Sequence, residues 1–290
     1  MSSQENKPTY SEPSYTKSVD RAKFPFYIPN IEKKLVPETR ELLQKYSDIP
    51  YEQQSEHVHR IRDQAWDIRA YPCTGVGAWL VPQLCKLPVY PDILKRVKAG
   101  DIYMDVGAFI GHDLRRLVYD GAPSDNLYAV DIVSHWDVGF EMFRDRDRFA
   151  AHFIEADILN ASEPRLAEIM GKIDILSITQ VMHSWDWDGQ VKFAKALVAF
   201  TKGPGSLIVG NQIGNPKAHE VVLKSLAVPM WRHNPESFAK LWDQVGSETG
   251  TKWETRAWMR SFEEMSWDPK DGAWMEEGVA IVEFSVKRLE

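Results

Sequence analysis

Three carboxylates stand at the ends of three successive apolar runs: Asp105 in IYMDV, Asp131 in LYAVD and Asp157 in HFIEAD. If the runs are neighbouring strands, acids in those places can take hydrogen bonds or a positive charge from one ligand. The first run continues through Asp105-Val106-Gly107-Ala108-Phe109-Ile110-Gly111 into the amphipathic stretch HDLRRLVYDG. A strand, a glycine turn and a helix in that order open a site for a nucleotide-like cofactor.

The spacing decides which kind. A dinucleotide needs small residues where its pyrophosphate meets a helix N-terminus, and its fingerprint is G-x-G-x-x-G. Here Phe109 crowds that approach, no third glycine follows, and Asp105 would repel a phosphate. An acid before the first glycine suits a cofactor with a positive amino group. S-adenosylmethionine carries an ammonium and a sulfonium and has no phosphate. Asp131 lies 20 residues beyond Gly111 and can accept both hydroxyls of a ribose. Asp157 can take the adenine amino group while Ile158 packs on the ring. Each acid alone has a plainer reading, because an Asp at a strand end often starts the next helix. The three in register carry the cofactor reading.

The elements that must position these acids are legible as an alternation. Strands are expected at 102–106, 127–131, 152–156, 173–178, 205–210, about 252–258 and 279–286. Helices are expected after Gly111, over roughly 134–147, from near Ser162, over about 187–201 and from Asn234-Pro235. Alternation of this kind predicts an α/β fold with a mostly parallel sheet and helices on both faces. No crossover helix separates the last two strands, so they are expected to pair antiparallel at an edge. Upstream, 37–46 and 51–70 read as helices, and AYPCTGVGAWLVPQL breaks the pattern before an apolar helix-like run resumes. The expected organisation is a loose arm over 1–25, a helical cap over 26–100 and a cofactor-binding domain over 101–290.

Composition narrows the function classes. A net charge of −7 without a basic run argues against a nucleic-acid surface. Two cysteines cannot make a disulfide framework, and the eight histidines fall in no H-x-x-x-H or H-E-x-x-H pattern, so no metal is expected. The polar start MSSQENKPTYSEPS is no signal peptide, and no run approaches a membrane span, so a cytoplasmic protein is expected. The 11 Trp and 12 Phe suit an apolar pocket as well as a core.

The motifs DVGAFIGHDLRRL, LYAVDI, EADIL, VMHSWDWDGQ and GNQIG resemble those of fungal class I methyltransferases of secondary metabolism. Within them they are most similar to the meroterpenoid carboxyl O-methyltransferases acting on farnesylated dimethylorsellinate-type acids. The resemblance runs from about residue 37 to the C-terminus. It implies S-adenosylmethionine as donor, a seven-stranded Rossmann-like sheet, a helical N-terminal cap and a homodimer. By motif, Asp105, Gly107 and Gly111 match the glycine loop, Asp131 with Ile132 the ribose-binding acid and its neighbour, and Asp157 with Ile158 the adenine-side pair. Ala108 stands where Cys is common and His112 where Gln is common, which leaves the subgroup open.

The chemistry that follows is an in-line displacement at a methyl group, so alignment and exclusion of water are the main requirements. His183, in MHSWDW after the fourth strand, is the candidate at the reacting end. It reads as a donor to an acceptor carboxylate, as a base toward a phenol, or as a histidine bonding nearby backbone. Trp185 and Trp187 can wall an apolar pocket, and Asp186 can start the next helix. Gln180 is expected at the methionine part of the donor, Gln212 at the acceptor, and Tyr71 on the cap as a lid, cofactor or substrate contact. The expected reaction is methyl ester formation on a bulky apolar terpenoid-polyketide acid. The alternatives are methylation of a phenol or enol, and a methyltransferase fold that does not methylate; an NAD-dependent oxidoreductase is disfavoured by the glycine spacing.

Overall fold

The computed structural model describes residues 14–290 apart from 19, 161 and 223–227. Of the expected loose arm, residues 1–13 lie outside the described residues. From residue 14 the chain is already tied to the cap. The Ala70 N–H donates to the Thr16 carbonyl at 2.9 Å, and Arg21 pairs with Asp63 at 3.4 Å and with Asp67 at 3.1 Å.

The cap contains four helices: α1 (Pro37–Glu41), continued by the wider turns of Leu42–Tyr46, then α2 (Tyr51–Ile68), α3 (Pro72–Val76) and α4 (Tyr90–Lys98). Val58, Ile61 and Ala65 of α2 recur at helical spacing and are fully buried. The apolar run after Gly77 is not one helix. It makes two short 3-10 turns, Ala78–Leu80 and Leu84–Lys86, because Pro82 removes a backbone donor and disfavours helical geometry before it.

Beyond the cap the alternation is as expected. The chain runs β1 (Tyr103–Val106), α5 (His112–Tyr119), β2 (Leu127–Asp131), α6 (Trp136–Phe143), β3 (His152–Glu155), α7 (Pro164–Ile169), β4 (Ile175–Thr179), α8 (Trp187–Phe200) and β5 (Leu207–Gly214). A short hairpin, β6 (His219–Val222) with β7 (Pro229–Arg232), then α9 (Pro235–Thr249), β8 (Trp253–Arg260) and β9 (Ala280–Arg288) complete it. The large sheet has seven strands in the order β3-β2-β1-β4-β5-β9-β8. Strands β1 to β5 pair parallel, and β9 lies antiparallel to both β5 and β8, as the missing crossover helix predicted. The β6–β7 hairpin was not foreseen: its first strand alternates half-buried and exposed residues and carries no continuous apolar run.

Two cores sandwich the sheet. On one face Leu176, Ile178 and Phe284 meet Phe193 and Leu197 of α8 and Phe238 and Trp242 of α9. On the other, Tyr103, Ala129 and Val209 meet Ile93 and Val97 of α4 and Leu114 and Leu117 of α5. The cap has its own core of Leu43, Val58 and Ile61, which continues into Met142 and Phe143 of α6. At roughly 2 kcal/mol for each fully buried aliphatic side chain, this makes the cap a fixed wall over the sheet. Among the described residues no helix is long and apolar enough to cross a membrane, and no cluster of His, Cys, Asp and Glu could hold a metal ion.

Candidate active site

Strand order reverses at β1 and β4, and the crevice above such a switch point is where ligands of this architecture sit. A cavity of about 550 Å³ lies there, roofed by the cap and by residues 261–278 before β9. Its size is within the range of small-molecule sites. Asp105, Gly107, Asp131, Ile132, Asp157, Ile158, Gln180, His183, Trp185 and Tyr71 all line it. These ten residues come from five separate segments of the chain.

The donor side is built on β1, β2 and β3. The turn after β1 is pinned to β2 by the Gly107 N–H, which donates to the Val130 carbonyl at 2.8 Å. Gly107 has φ 76°, and a Cβ there would sit 2.4 Å from Val181 Cγ2, so the loop needs glycine. Asp131 accepts from the Phe109 N–H at 2.8 Å and from the Val133 N–H at 3.2 Å. Asp157 accepts from the Leu159 N–H at 2.9 Å, and the Ala156 N–H ties its strand end to the Asp131 carbonyl at 2.8 Å. Phe109, whose bulk argued against a dinucleotide pyrophosphate, takes a left-handed φ of 51° and lies tilted against His135, ring centres 4.7 Å apart.

Asp105 is 4% exposed. Burial, reinforced by the neighbouring Asp113 carboxylate, holds its carboxyl well above the usual carboxylate range. A buried acid in that state suits a ligand that brings its own positive charge, such as an ammonium. Gln180, also left-handed at φ 59°, donates through Nε2 to Asn211 Oδ1 at 2.6 Å, and Asn211 reaches Gln83 of the cap at 3.4 Å. That chain of amides joins the end of β4 to the cap.

The acceptor side lies toward β4, β5 and β7 and is mostly apolar: Trp185, Ile213, Met230, Phe262, Trp267 and Trp274 line it. His183 stands in a short turn, Met182–Ser184, with Nδ1 enclosed and without a hydrogen-bond partner among the described residues. Burial, with the Arg232 guanidinium nearby, pushes its pKa down to about 3, so the imidazole is neutral. Trp185 stacks on Phe193 at 4.8 Å, and Asp186 starts α8 by accepting from the Gly189 N–H at 2.8 Å, as expected.

Several expectations are corrected. Gly111 does not line the cavity. It takes φ 68°, and a Cβ there would meet Arg115 Nη1 at 2.5 Å and the Trp136 ring at 2.7 Å, so glycine here spares packing behind the loop. Gln212 is fully buried off the cavity and donates to Gln190 at 3.4 Å. Gln190 in turn holds the Trp185 and Trp231 carbonyls, each at 3.0 Å, so Gln212 can act on the acceptor only through those walls. Of the contacts expected of Tyr71, its place near His135 at the Asp131 end suits a cofactor rather than a substrate. Trp187 faces away and donates to Gln244 at 2.8 Å. Arg232, Gln83, His135, Trp267 and Trp274 line the site without having been foreseen. Arg232 was hidden in an unassigned segment, although a lone arginine before His233-Asn234-Pro235 was visible.

Residues 26–80 match the meroterpenoid methyltransferase N-terminal domain family. The chain is 36% identical to the O-methyltransferase phiE of a fungal species over 232 residues, 79% of this chain and 77% of the relative. It is 35% identical to the O-methyltransferase atr3 of Stereocaulon alpinum (87% of this chain, 73% of the relative) and 35% identical to the asnovolin E/chermesin D methyltransferase nvfJ of Aspergillus novofumigatus (77% and 81%). Among solved structures, the fold is similar to Burkholderia thailandensis 1,6-didemethyltoxoflavin-N1-methyltransferase with bound 1,6-didemethyltoxoflavin and S-adenosylhomocysteine. The TM-score is 0.50 at 12% identity, over 82% of this chain and 87% of that one. It is also similar to Haemonchus contortus phospholethanolamine N-methyltransferase 2, with a TM-score of 0.52 at 15% identity, over 79% and 60%.

Proposed function

This chain belongs to the fungal secondary-metabolite O-methyltransferase family that includes the meroterpenoid methyltransferases, and we propose that it forms a methyl ester on the carboxylate of a bulky, apolar terpenoid-polyketide acid. The donor is S-adenosylmethionine, which when bound supplies a methyl group activated by its sulfonium. The residues present fit it: Asp105 would hold its ammonium, Asp131 its ribose hydroxyls, and Asp157 with Ile158 its adenine.

The neutral His183 at the acceptor end carries the choice of acceptor. A general base works best with a pKa near the operating pH. An imidazole held down to about 3 is a feeble base toward a phenol of pKa about 10. A carboxylic acid with pKa near 4 is about fully ionised at pH 7 and needs no base. His183 then serves by donating a hydrogen bond that fixes the carboxylate, while Trp185, Met230 and Trp267 exclude water around the apolar remainder. The protein assembles as a homodimer, as its family resemblance implies, which light scattering on the purified chain tests directly.

The test of the reaction is product chemistry. The protein is incubated with methyl-labelled S-adenosylmethionine and a panel of apolar terpenoid acids and matched phenols. A methyl ester releases its label as methanol in mild alkali, and an aryl ether keeps it. Label that survives alkali would overturn the carboxylate reading.

A further inference from the structure

Resting on that reading, we infer that Arg232 grips the acceptor's carboxylate and sets the preference for an anionic acceptor over a neutral one. Arg232 ends β7, the second strand of the hairpin, and is the only Arg or Lys among the described residues that line the cavity. It is 1% exposed. A guanidinium that deep is costly unless its donors and its charge are met.

Two of its contacts are internal. Nε donates to Glu276 Oε1 at 2.6 Å, and Nη1 donates to the His183 carbonyl at 3.2 Å. A guanidinium has five N–H donors, and Nη2 has no hydrogen-bond partner among the described residues. Glu276 fixes the Nε edge, so the plane is already oriented, as bidentate recognition of a carboxylate requires. The second observation is independent: His183 lines the same cavity, and its enclosed Nδ1 has no hydrogen-bond partner among the described residues. Because Arg232 bonds to the backbone of His183 itself, the two groups move as one unit. The surroundings, Ile213, Met230 and Trp185, offer an anion nothing else of positive charge. Together they describe a carboxylate seat at the inner end of an apolar channel.

The deciding measurement is a ratio. One acid turned over in the alkali-lability assay, and the primary amide of that same acid as a competitive inhibitor, are compared on wild type, Arg232→Gln and Arg232→Lys. Wild type should hold the acid more tightly than the amide. In Arg232→Gln, kcat/KM for the acid should fall on the order of 100-fold, as for loss of one partner of a buried charge pair. The acid-over-amide preference should vanish, while affinity for S-adenosylhomocysteine stays within about twofold because the donor side is built on other strands. Arg232→Lys keeps the charge and should retain part of the preference, and it serves as the variant if Arg232→Gln fails to fold. If both affinities drop together with the ratio unchanged, Arg232 only props up His183 and the assignment is wrong. If no acid is turned over by wild type, the carboxylate reading fails first, and this assignment with it.

Discussion

The backbone N–H of Phe109 donates to Oδ2 of Asp131 at 2.8 Å, so the residue whose bulk argued against a dinucleotide is the one whose backbone aims this acid. With the Val133 N–H on Oδ1 at 3.2 Å, both carboxylate oxygens are held by backbone donors. Each oxygen can accept more than one hydrogen bond, so the acid can serve the loop and two ribose hydroxyls together.

From this follows a prediction about Asp131. Asp131→Ala should weaken S-adenosylhomocysteine binding about 10- to 100-fold by calorimetry, the usual worth of hydrogen bonds to a charged group. Asp131→Asn should not rescue it. An amide must turn its NH2 toward Phe109 N–H or Val133 N–H, and either choice sets donor against donor. Near-normal affinity in Asp131→Asn would show that the ligand does not use this acid.

The two loop glycines separate binding from stability. In Gly107→Ala the new methyl enters the cavity wall against Val181, 2.4 Å away, at a left-handed φ. We expect it to lower S-adenosylhomocysteine affinity about tenfold or more, with a loss of stability on the order of 1 kcal/mol. In Gly111→Ala the methyl runs into Arg115, whose guanidinium is fully buried and paired with Asp145 at 2.9 Å. Disturbing a buried pair costs more, about 3 kcal/mol, so its thermal midpoint should fall further while the folded fraction keeps normal affinity. Matching affinity losses in the two variants would contradict the division.

What the sequence disclosed tracks how local each determinant is. Asp105, Asp131 and Asp157 were readable because each lies within two residues of the C-terminal end of a strand, and parallel strands in register bring their ends together. Gly111 shared a motif with Gly107, but spacing cannot tell a glycine that faces the ligand from one that spares an arginine behind the loop. Gln212 lies inside an eight-residue strand buried at every position, so alternation gave no hint of which face met the cavity. Arg232 and the tryptophans of 261–278 were missed because a short hairpin and a segment without regular structure place them. Contacts far apart in sequence do that: Lys34 of the cap pairs with Asp271, and the Phe26 ring lies 5.5 Å from that of Trp274.

The low pKa of His183 makes a prediction for rate against pH. Between pH 5 and 8 the imidazole stays neutral and a carboxylic acceptor stays ionised, so kcat/KM should be flat across that range. His183→Asn, which keeps a donor, should be slower with the same flat profile; His183→Leu should be slower still. An inflection between pH 6 and 7 that disappears in His183→Asn would instead identify a histidine base and favour a phenolic acceptor.

Stability against pH tests a second buried histidine, next to Arg232 in sequence but not among the residues that line the cavity. His233 is fully buried, bonds Ser237 Oγ through Nδ1 at 2.8 Å, and is pushed down to about 3 by burial. Its pKa in the unfolded chain is the ordinary 6.5. Between those values the unfolded chain binds a proton that the folded one does not, so stability falls as pH drops through this window. The slope is about 1.4 kcal/mol per pH unit for one such group. His183 acts in the same direction. Asp105, raised above its ordinary value, acts in the opposite one, since it holds a proton in the folded state that the unfolded chain has released. His233→Gln should cost stability at pH 7 through the lost packing against Phe238, yet lose less between pH 7 and pH 5 than wild type, by about 2 kcal/mol. Urea unfolding at the two pH values measures that difference. An equal loss in both proteins would mean that His233 is protonated in the folded state.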